Sequence, residues 1–252
     1  MLGLPIVALA AVLAAMPQPP GEPLQPGELQ QPGEPQQPAG SPSRVTGGFD
    51  VAVNSAFVWR GFVLCDSLVV QPAAWVGWGP FTVTSWSNVA RTGPNGRHWT
   101  EHDLTVDYTA VRGDYTVSAG WINYAFLDQQ SDRFSNELYA GVSRAGPVEP
   151  SLRVFQDVHA GSGTYVVAGI GYSREFQPSG FTLTSTLSVG YNHRLWIDAS
   201  GLSDANVVFE ASIPTPFRGL VVRPGVGYSR AFRLPGLSSR VYWGLVASLE
   251  IP

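Results

Sequence analysis

The chain has 252 residues, 44% hydrophobic and 12% aromatic, but only 13% charged, with a net charge of −4. An ordinary soluble surface needs roughly a quarter of its residues charged, so this chain has too few for one. From residue 48 onward 14 arginines stand against 16 acids, which leaves no basic stripe for nucleic acid. The single cysteine, Cys65, excludes an intrachain disulfide and a cysteine-built metal site.

Leu2 to Ala15 is an apolar run ending in small residues. It is too short for a membrane span of about twenty residues, and residues 1–15 read as a secretory signal peptide. Residues 16–47 form a linker with a six-residue repeat: Pro20-Gly21-Glu22, Pro26-Gly27-Glu28 and Pro32-Gly33-Glu34. Proline at this density favours extended polyproline II over sheet. The linker reads as a solvated tether or as a docking arm for a periplasmic or cell-wall partner.

From residue 48 to 252 the chain has a two-residue period broken by turn chemistry, best seen where Phe181, Leu183, Leu187, Val189 and Tyr191 alternate with Thr182, Thr184, Thr186, Ser188 and Asn192. Successive strand residues face opposite sides of a sheet, so this period predicts strands. Twelve are expected, near 49–62, 68–78, 81–90, 99–111, 114–125, 133–144, 151–158, 164–173, 181–193, 205–213, 219–229 and 239–251. Most are long enough to cross a bilayer tilted. The breaks at 79–80, 112–113, 145–150, 174–180 and 214–218 are mostly short. Those at 63–67, 91–98, 126–132, 159–163, 194–204 and 230–238 are on average longer.

An even count and this loop asymmetry fit an all-β fold: a transmembrane antiparallel up-and-down β-barrel of the bacterial outer membrane, preceded by a signal peptide and a proline-rich tether. A soluble sandwich or a lipocalin-like carrier is the alternative, and lipocalins have eight strands. In the barrel, Leu104, Val106, Tyr108 and Ala110 meet lipid while Glu101, Asp103, Asp107 and Thr109 face the lumen. Trp59, Trp75, Trp121, Tyr172, Tyr191, Tyr228 and Trp243 fall near segment ends, where an interfacial aromatic girdle is expected.

Asn54-Ser55-Ala56-Phe57-Val58-Trp59-Arg60-Gly61-Phe62 resembles the opening strand of the TorF-type family of porins. Gln71-Pro72, Trp86-Ser87-Asn88-Val89, Glu101-His102-Asp103-Leu104-Thr105-Val106-Asp107-Tyr108 and Glu137-Leu138-Tyr139-Ala140-Gly141-Val142-Ser143 are similar to its later strands. The likeness covers roughly residues 48–195. It implies an outer-membrane barrel for solutes that are generally not established. Unlike many barrels of that membrane, the chain ends Leu249-Glu250-Ile251-Pro252 rather than on an aromatic residue.

Three motifs invite chemistry. His98-Trp99-Thr100-Glu101-His102 spells a zinc-protease pattern that needs a helix; on a strand the two histidines stand about 13 Å apart, too far for shared ligation. His159 to Ser162 and Asn192-His193 invite comparison with a rim lipid hydrolase, but no spacing brings nucleophile, base and orienter together. Arg112-Gly113-Asp114 reads as a tight turn. No cofactor or metal is implied, and the reading is non-enzymatic.

The inward set comprises Asp50, Glu101, Asp103, Asp107, Glu137, Asp157, Glu210 and Glu250 against Arg60, Arg153 and Arg223. Charge rings tune pore selectivity, so this set suggests a porin passing small solutes with a weak cation preference. Interior salt bridges that plug a narrow barrel are the competing explanation. A scaffold or receptor that uses the proline-rich arm is the alternative function.

Overall fold

The computed structural model describes residues 45–91, 96, 98–131 and 133–251. The signal peptide and nearly all of the tether lie outside the described residues. In chain order the strands are β1 (Val45–Asn54), β2 (Phe57–Trp59), β3 (Phe62–Cys65), β4 (Val69–Trp78), β5 (Phe81–Ala90), β6 (Trp99–Arg112), β7 (Tyr115–Phe126), β8 (Phe134–Arg144), β9 (Glu149–Asp157), β10 (Thr164–Phe176), β11 (Phe181–His193), β12 (Ser200–Pro214), β13 (Leu220–Ala231) and β14 (Arg240–Ile251).

Twelve of them close an antiparallel barrel in the order β1-β14-β13-β12-β11-β10-β9-β8-β7-β6-β5-β4. Each wall strand pairs with its sequence neighbours, and β1 closes the ring. It pairs with β4 from Val45↔Trp78 to Asn54↔Val69 and with β14 from Gly47↔Ile251 to Asn54↔Gly244. Closure removes the free edges that an open sheet would present.

The barrel is apolar outside and polar inside. On β6, Leu104, Val106 and Tyr108 are exposed, while Glu101, Thr105 and Asp107 are buried. The same alternation holds on β11, where Thr186 and Ser188 are buried and Val189 and Tyr191 exposed. A soluble monomer's largest apolar patch is roughly 300–600 Å². A belt of Val, Leu, Phe, Tyr and Trp around all twelve strands exceeds that several times over, and only lipid satisfies it.

Outward aromatics gather at both rims: Trp78, Phe81, Tyr108 and Tyr115 at one, and Trp99, Phe134, Tyr191 and Trp243 at the other. Along β6 the span from Trp99 to Tyr108 is about 23 Å across the membrane at ~3.4 Å per residue and a ~40° tilt, matching the roughly 25 Å apolar band of such barrels.

The connections segregate by length. At one end, the turn end, they are 79–80, 113–114, 145–148, 177–180 and 215–219. The opposite, loop end carries 55–68, 91–98, 127–133, 158–163, 194–199 and 232–239. Both described termini lie at the turn end. Arg112-Gly113-Asp114 is one of the short turns, with Gly113 at φ 61°.

Three features differ from the expected parse. The first segment does not run unbroken over 49–62: the wall strand stops at Asn54, and β2 and β3 form a separate two-stranded hairpin. β12 starts at Ser200 rather than 205. Trp59 and Trp75 are not girdle residues; Trp75 is buried in the interior and Trp59 sits on the hairpin.

Candidate functional site

The turn-end half of the lumen is lined by small polar side chains. Thr82, Thr84, Thr116, Ser118, Ser151, Ser173, Thr184, Thr186 and Ser248 all project inward at alternate wall positions. Two arginines cross this layer. Arg223 on β13 bridges Asp50 on β1 and Glu210 on β12, at 3.6 Å from each carboxylate. Asp50 also accepts from Ser248 Oγ. Arg153 on β9 lies across Gly141 toward Ser118 and near the Tyr139 ring. Asp107 accepts from Tyr139 Oη, and from Thr109 Oγ1 at 2.7 Å. Glu250 is exposed at the mouth.

Tyrosine rings in the wall press against glycines of the neighbouring strand. A Cβ on Gly120 would come within 2.6 Å of Tyr139, one on Gly190 within 2.3 Å of Tyr165, and one on Gly227 within 2.3 Å of Tyr242. Only a missing side chain leaves room for a ring against the wall.

The loop-end half is filled. The β2–β3 hairpin turns inward from the rim and packs against most of the wall. Phe57 meets Val69 and Ala73 of β4 and Trp86 and Ala90 of β5. Ala56 and Val58 pack with Val208 of β12 and Tyr242 of β14. Trp59 meets the Tyr124 ring of β7 edge-on at 6.1 Å. The loops add to the hold: Ser238 N donates to Gly61 O at 3.0 Å, and Arg240 pairs with Asp66.

Arg60 occupies the hairpin tip. Its φ of 51° is followed by Gly61 at 84°, a doubly left-handed pair in which Asn-Gly would be the cheaper choice. The guanidinium forks onto Glu137 of β8, Nη1 to Oε2 at 2.7 Å and Nη2 to Oε1 at 2.8 Å. Tyr124 Oη donates to the same carboxylate at 2.9 Å. The rings of Phe155, Trp59 and Tyr165 lie 4.1, 4.4 and 4.6 Å from Arg60 Cζ. Burial works to lower the Arg60 pKa, but Glu137, Tyr124 and Tyr165 outweigh it and hold it above its ordinary value. Arg60 is 3% exposed and Glu137 0%, so removing either partner would strand a buried charge, a loss of about 3–5 kcal/mol.

Around this latch run polar networks. Asn54 Nδ2 donates to Gln71 Oε1 at 2.5 Å, Gln71 Nε2 to Asn88 Oδ1 at 2.8 Å, and Asn88 Nδ2 to Thr100 Oγ1 at 2.7 Å. This ladder stitches β1, β4, β5 and β6 below the hairpin. Asp157 ends β9 and accepts from Ser135 Oγ and from the backbone N–H groups of His159, Gly161 and Ser162. It therefore shapes the 158–163 loop rather than facing open space. Asp204 on β12 accepts from Tyr165 Oη, Ser203 Oγ and Asn206 Nδ2.

The expected lumen residues thus divide into three groups. Asp50, Asp107, Arg153, Glu210 and Arg223 lie in the turn-end layer, with Glu250 at its mouth. Glu101, Asp103, Glu137 and Asp157 lie in the filled half. Arg60 enters from the hairpin rather than from a wall strand. Sequence reasoning missed Asp204 and Glu149, both buried, having placed them in loops. Asp204 keeps the inward parity of Asn206 and Glu210, but a bulge at Ser203, which pairs Gly190 with Asp204 and Tyr191 with Leu202, breaks the alternation just before it and hides that the strand begins earlier.

The other motifs are accounted for separately. His102 Nδ1 pairs with Ser87 Oγ at 2.9 Å, while His98 Nδ1 meets Ala90 O at 3.3 Å. His159 stacks on Phe134 with centroids 4.9 Å apart. His193 Nδ1 pairs with Ser200 Oγ at 3.0 Å on the exposed rim, whereas Asn192 is turned inward onto the Leu195 backbone. Asn192 therefore cannot orient His193.

A closed twelve-stranded antiparallel barrel with an apolar exterior and a polar interior has the fold of a transmembrane β-barrel. The NanC porin is similar in fold, with a TM-score of 0.57 and 12% identity over 81% of this chain and 100% of its own. An outer membrane channel from Pseudomonas putida F1 gives a TM-score of 0.51 and 10% identity over 86% of this chain and 100% of its own. At such identities the likeness is one of fold. No family model and no curated protein matches the chain.

Proposed function

We propose that the chain is a non-enzymatic channel of the bacterial outer membrane that passes small hydrophilic solutes with a mild preference for cations. The observation that carries this reading is the inverted barrel with an acid-rich interior. Asp50, Glu101, Asp103, Asp107, Glu137, Glu149, Asp157, Asp204, Glu210 and Glu250 point inward against Arg60, Arg153 and Arg223. An acidic lining lowers the barrier for cations and raises it for anions. The segregation of short turns and long loops supports an orientation with the termini in the periplasm. The TorF-type motifs and the porin-like fold support the same reading.

With the hairpin seated, the outer half admits little, so a small conductance is expected. Planar-bilayer recording across a potassium chloride gradient tests the reading. A cation-selective reversal potential is expected. Anion selectivity would overturn it, as would silence from both the folded protein and a variant whose residues 56–65 are replaced by a short glycine-serine linker.

A further inference from the structure

We propose that the wall pocket around Glu137 is a binding site for a guanidinium group, filled at rest by Arg60 and open to exchange with a guanidinium-bearing solute. The wall builds this pocket without help from the hairpin: Glu137 comes from β8, Tyr124 from β7, Phe155 from β9 and Tyr165 from β10. Two carboxylate oxygens at 2.7 and 2.8 Å from two different nitrogens match the planar fork of a guanidinium. Rings on several sides of Cζ suit a flat, weakly hydrated cation. A compact ammonium can satisfy neither feature fully.

Two further observations suggest that the resident is replaceable. Arg60 sits in the left-handed region at φ 51°, and its buried Nε has no hydrogen-bond partner. The strain costs roughly 1–2 kcal/mol for a residue other than glycine, and a free guanidinium would not bear it. Further carboxyl groups also gather at the pocket. Glu101 and Asp103 stand within electrostatic reach of one another, and Asp103 also of Glu137. The buried Asp103 Oδ1 has no hydrogen-bond partner.

Exchange would release the hairpin tip from the wall, and Cys65 reports that release. It lies on β3 of the same hairpin, packed against the Phe57 cluster. The labelling rate of Cys65 by a maleimide is measured on the full folded chain with methylguanidinium or methylammonium chloride at equal ionic strength. In the wild-type protein methylguanidinium should raise the rate at least about threefold over methylammonium. Arg60→Ala should label about tenfold faster than wild type. In that variant the effect should reverse: methylguanidinium fills the empty pocket and slows labelling, while methylammonium does not.

Glu137→Gln in the Arg60→Ala background should abolish the rescue. If Arg60→Ala fails to fold, Arg60→Lys replaces it, because lysine keeps the charge and loses the fork. Equal effects of the two cations would overturn the site. Rescue of the variant without any effect on the wild type would overturn the exchange. Labelling does not depend on conductance, so its failure leaves the channel reading standing and a silent bilayer leaves the site standing.

Discussion

At Gly190 the interior has no room for a single added carbon. A Cβ there would lie 2.3 Å from Tyr165 Oη and 2.6 Å from Asp204 Oδ1, and both partners are fully buried. A Cβ on Gly169, one strand away, would come no nearer than 3.2 Å to Ser151 Oγ, 3.3 Å to the Leu187 carbonyl and 3.5 Å to Ser188 Cβ. Overpacking of this kind costs about 1–3 kcal/mol. Gly190→Ala is therefore expected to lower the temperature at which the folded band disappears on unheated gels clearly more than Gly169→Ala does. Similar shifts for the two variants would show that the ring-over-glycine contact is not what holds the wall. None of this was readable beforehand. Glycine at alternate strand positions looks like general smallness until the neighbouring strand supplies a ring.

The β2–β3 hairpin is the element that sequence reasoning hid most completely. Phe57, Trp59 and Phe62 flank residues that keep an apolar texture, so the period of β1 carries visually past Ser55 with no polar break. What separates wall from plug is hydrogen bonding: β1 pairs with β4 and β14 as far as Asn54 and no further. The only local signal was Arg60-Gly61, a poor strand interior and a workable tight turn. Ring closure does not use the hairpin, because β1 and β4 pair along their whole length. Replacing residues 56–65 with a glycine-serine linker should therefore leave the heat-sensitive gel mobility of a folded barrel and raise the conductance several-fold. Loss of the folded band would mean that the plug is part of the barrel's folding core.

At the scale of the molecule, twelve segments, their even spacing and the poverty of charge were legible, because lipid on one side and a wet interior on the other impose a strict period of two. That same period let Asp50, Glu101, Asp107, Glu137 and Glu210 be assigned inward without any structure. It could not say which inward acids stay free: Asp157 is consumed by the N–H groups of the loop that follows it and by Ser135 of β8, and Glu137 by Arg60 of the hairpin, far away in sequence. The direction of the alternation remains the claim on which everything else depends, since a soluble sheet would show the same period with its faces reversed.

Nitroxide labels placed singly at Ser185, Thr186, Leu187, Ser188 and Val189 of β11, in a Cys65→Ser background reconstituted into liposomes, measure that direction. Labels at 185, 187 and 189 should relax with lipid-dissolved oxygen and be shielded from a water-soluble nickel reagent, while those at 186 and 188 should be shielded from oxygen. The opposite phase, or no alternation across the five positions, would contradict a barrel that wears its apolar half outward.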